Sequence, residues 1–533
     1  MVINMFKAVA VCVAILCVAA PVAVAQETSQ QRIMDAVMQV YADELKKNPN
    51  DFSVLYSRAS QYFLNGAYNK ALDDVNAALR VTTRDDMDVL VDEYVLRSKI
   101  YNATGKQPLA LADLQEANKL NPSSSPVLTM LAEAYYANGD YANARNCYLA
   151  LYRRSNINYV AILGLARAEA YLNNAGRAEE YANQAVELYP AEKAVYIGRA
   201  EVLQLLGRNQ EAAQDLIMAL SISDGDNSAL SKLMEMSDEA YGAVVSALDA
   251  AIQSAPGNGM FYYIKSSVQV GHCHYADGLR TLQEIISRKL YDYHGIYYDA
   301  AEAAYNLCRF DDALAYIDTA ISMEAGVTYY YVMKSQVLAA MNRFDDAYIS
   351  IKTGLATDAN NVEAMYQKAL LDIDAGEYRA ALQTLNEILM VVPMWQRAKY
   401  MRGWVQKEYM NDEEAAKRDF SEVLLTGDGG NGEPLRGFVL LQLGRNAEAA
   451  SWCRELVAGN RKAGGEACYV AAVVMAQCGN ADAAIGYMDK ALSQGFGSRY
   501  DVMRNESPLR SLEPIRHLEA FKETVDAHAA VFE

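Results

Sequence analysis

Three clusters in this chain have the residue types that phosphate or metal chemistry requires. Gly427-Asp428-Gly429-Gly430-Asn431-Gly432 has the spacing of a dinucleotide fingerprint. That fingerprint works only between a strand and a helix of a βαβ unit, where backbone N–H groups reach a pyrophosphate. Here Phe420 to Thr426 reads as the end of a helix and no parallel-strand pattern exists, so an exposed loop is expected. Asp224, Asp226, Ser228 and Glu235 fall at the first, third, fifth and twelfth places of a calcium loop. Ala229, however, stands where the sharp turn needs glycine, so the stretch reads as an acidic turn that caps the next helix. His272, Cys273 and His274 lie at a turn, with His294 and Cys308 one unit on. Zinc needs three or four convergent donors, whereas equivalent positions on adjacent helices stand about 10 Å apart. No GxSxG, HExxH or P-loop is present, and five histidines leave little for acid–base work near neutral pH. No enzyme, cofactor or metal site is expected.

The elements that would position any site follow a strict period. Ala110, Ala144, Ala178 and Ala212 recur every 34 residues, each in the second helix of a helix pair. In the clearest copy, from Ser125, Leu131, Ala132 and Tyr135 share one helix, Gly139-Asp140 makes a turn, and Tyr141, Ala144 and Tyr148 follow. Register resumes downstream through Gly278, Ala313, Ala347, Ala381, Ala415, Ala449 and Ala484. Small residues at these points allow paired helices to cross closely. Turn glycines such as Gly66, Gly105, Gly207 and Gly376 supply the positive φ of helix ends.

This pattern resembles the tetratricopeptide repeat, over about Phe52 to Ala491. The resemblance implies an all-α, right-handed superhelical solenoid of about thirteen helix–turn–helix repeats. The expected organisation is a signal peptide at 1–25 and a capping helix at 26–51. Repeats one to six follow at 52–258, the sixth degenerate, then repeats seven to thirteen at 259–497 and a C-terminal capping segment at 498–533.

In the family, positions 2, 5, 9 and 12 of each first helix face the concave side, and they share one helical face. Tyr56, Tyr263, Tyr298, Tyr366 and Tyr400 all occupy the fifth place. The resemblance thus implies a partner-binding groove formed by Tyr298, Tyr305, Tyr329, Tyr366, Arg397, Tyr400, Trp404, Lys407 and Phe438. Tyrosine, tryptophan and arginine dominate many interfaces. The same tyrosines could instead pack one first helix on the next.

Charge and leader narrow the class. The chain carries 48 basic and 67 acidic residues, a net charge of −19, which argues against binding nucleic acid or anionic membranes. Lys7, the apolar run Ala8 to Ala20 and Ala23-Val24-Ala25 match the zones of a secretory leader, and no later stretch is long and apolar enough to span a bilayer. Export, and a periplasmic location, are expected. In such a compartment Cys453 and Cys468, on neighbouring helices, could form a disulfide; the other reading is small buried hydrophobes. The function expected is an exported scaffold that binds a protein or peptide, the alternative being a glycan-binding accessory protein that stacks sugars on groove aromatics.

Overall fold

The computed structural model describes residues 35–222, 227–426, 435–460, 462, 464–505, 507 and 509–533. The leader expected at 1–25, the acidic turn expected at Asp224 and Asp226, and the glycine run Gly427 to Gly432 lie outside the described residues. Within them the fold is all-α: a helix over 35–47, then thirteen consecutive helix pairs from Phe52–Leu64 with Tyr68–Val81 to Glu466–Gln477 with Ala481–Ser493. The chain forms two compact units, residues 35–232 and 233–533.

Local chemistry explains the boundaries. Several first helices of 13 residues begin after N-caps whose side chains accept from free backbone N–H groups, as Asp51 does from Val54, Asn158 from Val160 and Asn361 from Ala364. Most second helices run 14 residues, and Ala71, Ala110, Ala144, Ala178 and Ala212 on them are fully buried where the pair crosses. Close approach extends to neighbouring pairs. A Cβ at Gly164 would stand 2.4 Å from the buried Tyr148 ring, so only glycine admits that ring.

Two repeats depart from the pattern. In the sixth, Ser228–Ser254 is one run of helix broken only at Ala240 (φ −131°, ψ 43°), where other repeats have a full turn. In the eleventh, the first helix Gln396–Met410 has 15 residues and ends at left-handed Asn411. This lengthening shifts the second helix by one residue, so Ala416 (1% exposed) rather than Ala415 (8%) sits at the crossing. The register expected at Ala415 is corrected accordingly.

At the turn between helices, positive φ is carried by glycine in most repeats but by Asn173, Cys273, Cys308 and Asn342 in others. A β-carbon in that conformation costs about 1 kcal/mol. Cys308→Gly is therefore expected to raise stability by about 1 kcal/mol, and Cys308→Ala to give no gain, in parallel urea titrations.

A second regularity locks the pairs. Arg58 holds Asp74, Arg97 holds Asp113, Arg199 holds Asp215 and Arg402 holds Asp419, each through two N–H···O bonds of 2.6–2.8 Å. Arg97, Arg199 and Arg402 also donate to Asn76, Asn183 and Asn386 on the preceding second helix. One guanidinium thus ties three helices across two repeats.

Candidate functional site

The nine groove residues separate by their surroundings. Tyr400 is fully buried against Phe420 at 5.8 Å, and burial pushes its hydroxyl pKa up. Tyr366 (3% exposed) packs on Trp395, Phe438 (2%) lies in the core, and Tyr298 (8%) stacks on Tyr330 at 5.5 Å. These four are buried against neighbouring side chains. The physical reason is the size of the tyrosine ring: at the fifth position it reaches across the roughly 10 Å between neighbouring helices and fills that gap.

The other five differ. Tyr305 is covered by Tyr500, whose ring lies 4.6 Å away. Lys407 Nζ donates to both the carbonyl and the Oε1 of Gln442, at 3.0 Å each, bridging repeats eleven and twelve. The Arg397 guanidinium lies 4.7 Å over the Tyr366 ring, and half-buried Trp404 meets Tyr409 edge-on at 5.2 Å. Tyr329 remains the most open of the nine at 39% exposed, edge-on to Tyr298 at 5.1 Å. Of the nine, Tyr329 is exposed and Arg397 and Trp404 are half-buried.

The six described cysteines are thiols. Cys453 and Cys468 are both free, and they face different surroundings. Cys453 Sγ points at the Ala471 carbonyl, one turn beyond Cys468, whereas Cys468 Sγ faces Gln494 Oε1. The possible disulfide between them is therefore not formed, and burial raises the Cys453 pKa to about 12. The histidines also diverge. His272 Nε2 meets Ser237 Oγ at 2.8 Å, His274 stacks on Tyr241 at 4.3 Å, and His294 Nδ1 meets the Tyr330 hydroxyl. Among the described residues no three His, Cys, Asp or Glu side chains converge as metal ligands.

One surface feature went unread in the sequence. Glu133, Arg167 and Glu201 stand at the ninth position of consecutive first helices, spaced by 34, with alternating charge. The structure extends the row to Lys232, whose Nζ lies 2.7 Å from Glu201. Arg167 reaches the same carboxylate at 3.5 Å and lies 5.2 Å over the Tyr136 ring. The signal was available: charges recurring with the repeat period, on a face where apolar residues would otherwise be buried.

The family profile described as tetratricopeptide repeat matches residues 98–159 and 163–227. Helix pairs of the same kind recur through the described residues from Phe52 to Ser493, the single Ser228–Ser254 run excepted. This is a tetratricopeptide-repeat protein. Its repeats are similar to cellulose synthase operon protein C of Pseudomonas fluorescens (strain SBW25), 28% identical over 190 residues, which is 34% of this chain and 14% of that protein. The chain thus spans about a seventh of that relative's length. Among solved structures, the tetratricopeptide-repeat chain is similar to yeast Tom70 (15% identity, TM-score 0.35), over 90% of this chain and 95% of that one. The C-terminal part of a repeat protein from Cytophaga hutchinsonii (16%, TM-score 0.34) is covered to 95%, by 44% of this chain. No described helix is long and apolar enough to cross a membrane.

Proposed function

We propose that this tetratricopeptide-repeat chain is an exported scaffold that binds a protein or peptide along the exposed face of its first helices. The observation that carries the reading is the row Glu133, Arg167 and Glu201, inside the residues the family profile matches, continued by Lys232 just beyond them. Glu133 is exposed, while Arg167 and Lys232 both pair with the partly solvated Glu201 and can exchange that partner for a ligand's carboxylate at little net cost. In the C-terminal unit, Tyr329, Arg397 and Trp404 offer a rigid aromatic and cationic surface of the kind that anchors peptides. Export rests on the leader read in residues 1–25.

The test is capture of envelope proteins by the mature chain, beside two variants, Arg167→Ala/Glu201→Ala and Tyr329→Ala/Trp404→Ala. A protein held by the parent and lost at least about tenfold, roughly 1.4 kcal/mol, by one variant supports the scaffold and says which unit binds. Equal retention by all three would sink the proposed faces.

A second reading follows from the distant match to a cellulose synthase operon protein. A polysaccharide would stack on Tyr329 and Trp404 and ignore the charged row. Salt separates the two: binding through Arg167 and Glu201 weakens as the Debye length shrinks, and ring stacking does not.

A further inference from the structure

The segment after the last repeat does more than cover the end of the array. Val502, Leu509, Leu512, Ile515 and Phe521 join the core beneath Glu466–Gln477 and Ala481–Ser493, as a cap should. Arg516 and Arg510 brace it, Arg516 by donating to the carbonyls of Val502 and Asn505, Arg510 by pairing with Asp501 at 3.1 Å. The same segment then reaches repeats seven and eight, almost two hundred residues earlier.

The contacts there are specific. Ser498 Oγ donates to Asn306 Oδ1 at 2.8 Å across 192 residues, and the Gly497 N–H donates to the Cys273 carbonyl at 2.9 Å. The Tyr500 ring sits 4.6 Å from Tyr305 and 6.2 Å from Phe310, and the Arg504 guanidinium lies 5.3 Å over Phe310. Alongside, Lys462 Nζ pairs with Asp238 at 3.0 Å. Glycine is demanded at three approaches: a Cβ at Gly464 would stand 2.1 Å from the His272 carbonyl oxygen, one at Gly495 2.1 Å from the His274 ring, and one at Gly497 2.7 Å from the Cys273 carbonyl oxygen. Close fit, directed hydrogen bonds and a filled aromatic socket together mark an evolved contact rather than a chance approach.

We propose that residues 495–504 are an intramolecular clasp that closes the last seven repeats on themselves and keeps Cys273 and the Tyr305–Phe310 socket covered until it is displaced. The energy is modest by design. Two hydrogen bonds, two ring contacts and one cation–π contact fall in the range of a local opening, well below global unfolding. A partner carrying its own aromatic and basic pair could exchange with Tyr500 and Arg504.

Two measurements on the full mature chain test this. Carbodiimide treatment of the parent should join Asp238 to Lys462, read by peptide mass spectrometry; absence of that cross-link would overturn closure without any mutation. In Tyr500→Ala/Arg504→Ala, maleimide labelling of Cys273 should rise about tenfold or more, the expected consequence of a lowered opening free energy. Cys147, in repeat three, is the internal control and should keep its rate. An unchanged Cys273 rate in a variant of normal helicity would overturn the clasp.

Discussion

Arg97→Ala is expected to cost about 3 kcal/mol, more than Asp113→Ala at about 2 kcal/mol, although the two residues form one ion pair. The difference follows from what each deletion leaves behind. Removing Arg97 strands the Asp113 carboxylate, which is 5% exposed. Removing Asp113 leaves a guanidinium that still donates to Asn76 at 2.8 Å and lies 5.5 Å over Tyr94 and 5.8 Å over Tyr101. Truncating one partner of a buried pair is costly because the other stays unpaired, whereas replacing both by apolar groups of similar size is close to neutral. The double variant Arg97→Met/Asp113→Leu should therefore recover most of the loss. Native-state hydrogen exchange across repeats one to three is the measurement, since an array opens locally and a single global midpoint would blur the effect. Losses below about 0.5 kcal/mol for both single variants would class the pair with ordinary surface bridges and contradict the locking role.

These pairs also show what was legible in the sequence. The helix pair and its period were readable because a small residue is required wherever two helices cross, and that requirement repeats with the fold. The Arg–Asp lock is equally periodic, with Arg58/Asp74, Arg97/Asp113 and Arg199/Asp215 all sixteen apart, yet charged residues are commonly solvated and spacing alone does not mark these as buried pairs. Arg402/Asp419 breaks the interval by one because the extra turn residue near Asn411 shifts the helix, a change that alanine spacing alone could not locate when Ala415 and Ala416 are adjacent.

Site residues were harder for a different reason. Position in a repeat says which helical face a side chain occupies but not what the next repeat places against it. Tyr366 and Tyr400 stand on the predicted face and are buried there by the neighbouring helices, whereas Tyr329, three places earlier in its helix than the tyrosine row, stays open. The clasp was beyond reach altogether. Its glycines at 464, 495 and 497 are ordinary loop residues until residues 272 to 274 arrive from more than 190 positions away, and no local pattern encodes that meeting.

Glu93 gives the second large effect, and its sign is set by pH. The side chain is fully buried in the first helix of repeat two; Oε1 meets Thr82 Oγ1 at 2.7 Å, while Oε2 has no hydrogen-bonding partner in the protein. Thr82 also lies 3.0 Å from the Ala78 carbonyl, and its single hydroxyl proton can serve only one of these acceptors. Protonating Glu93 resolves the conflict: the carboxylic acid donates to Thr82 Oγ1, and Thr82 donates to Ala78. Burial first, then the charges of Asp86 and Asp92 against the opposing Thr82 bond, raise the Glu93 pKa from 4.5 to about 7. The folded state therefore holds a proton that the unfolded chain releases between those values. Stability contributed by this group is present below about pH 4.5 and is lost as pH rises through about 7. Glu93→Gln keeps a donor toward Thr82 without the titration, so it should stabilise the chain by about 2 kcal/mol at pH 8.5 and change little at pH 4.5. Urea titrations at the two pH values check this. Other carboxylates shift both curves together, so the decisive quantity is the difference between parent and variant. A constant difference across the range would mean that Glu93 stays ionised in the folded chain, with its unpaired oxygen reached by water.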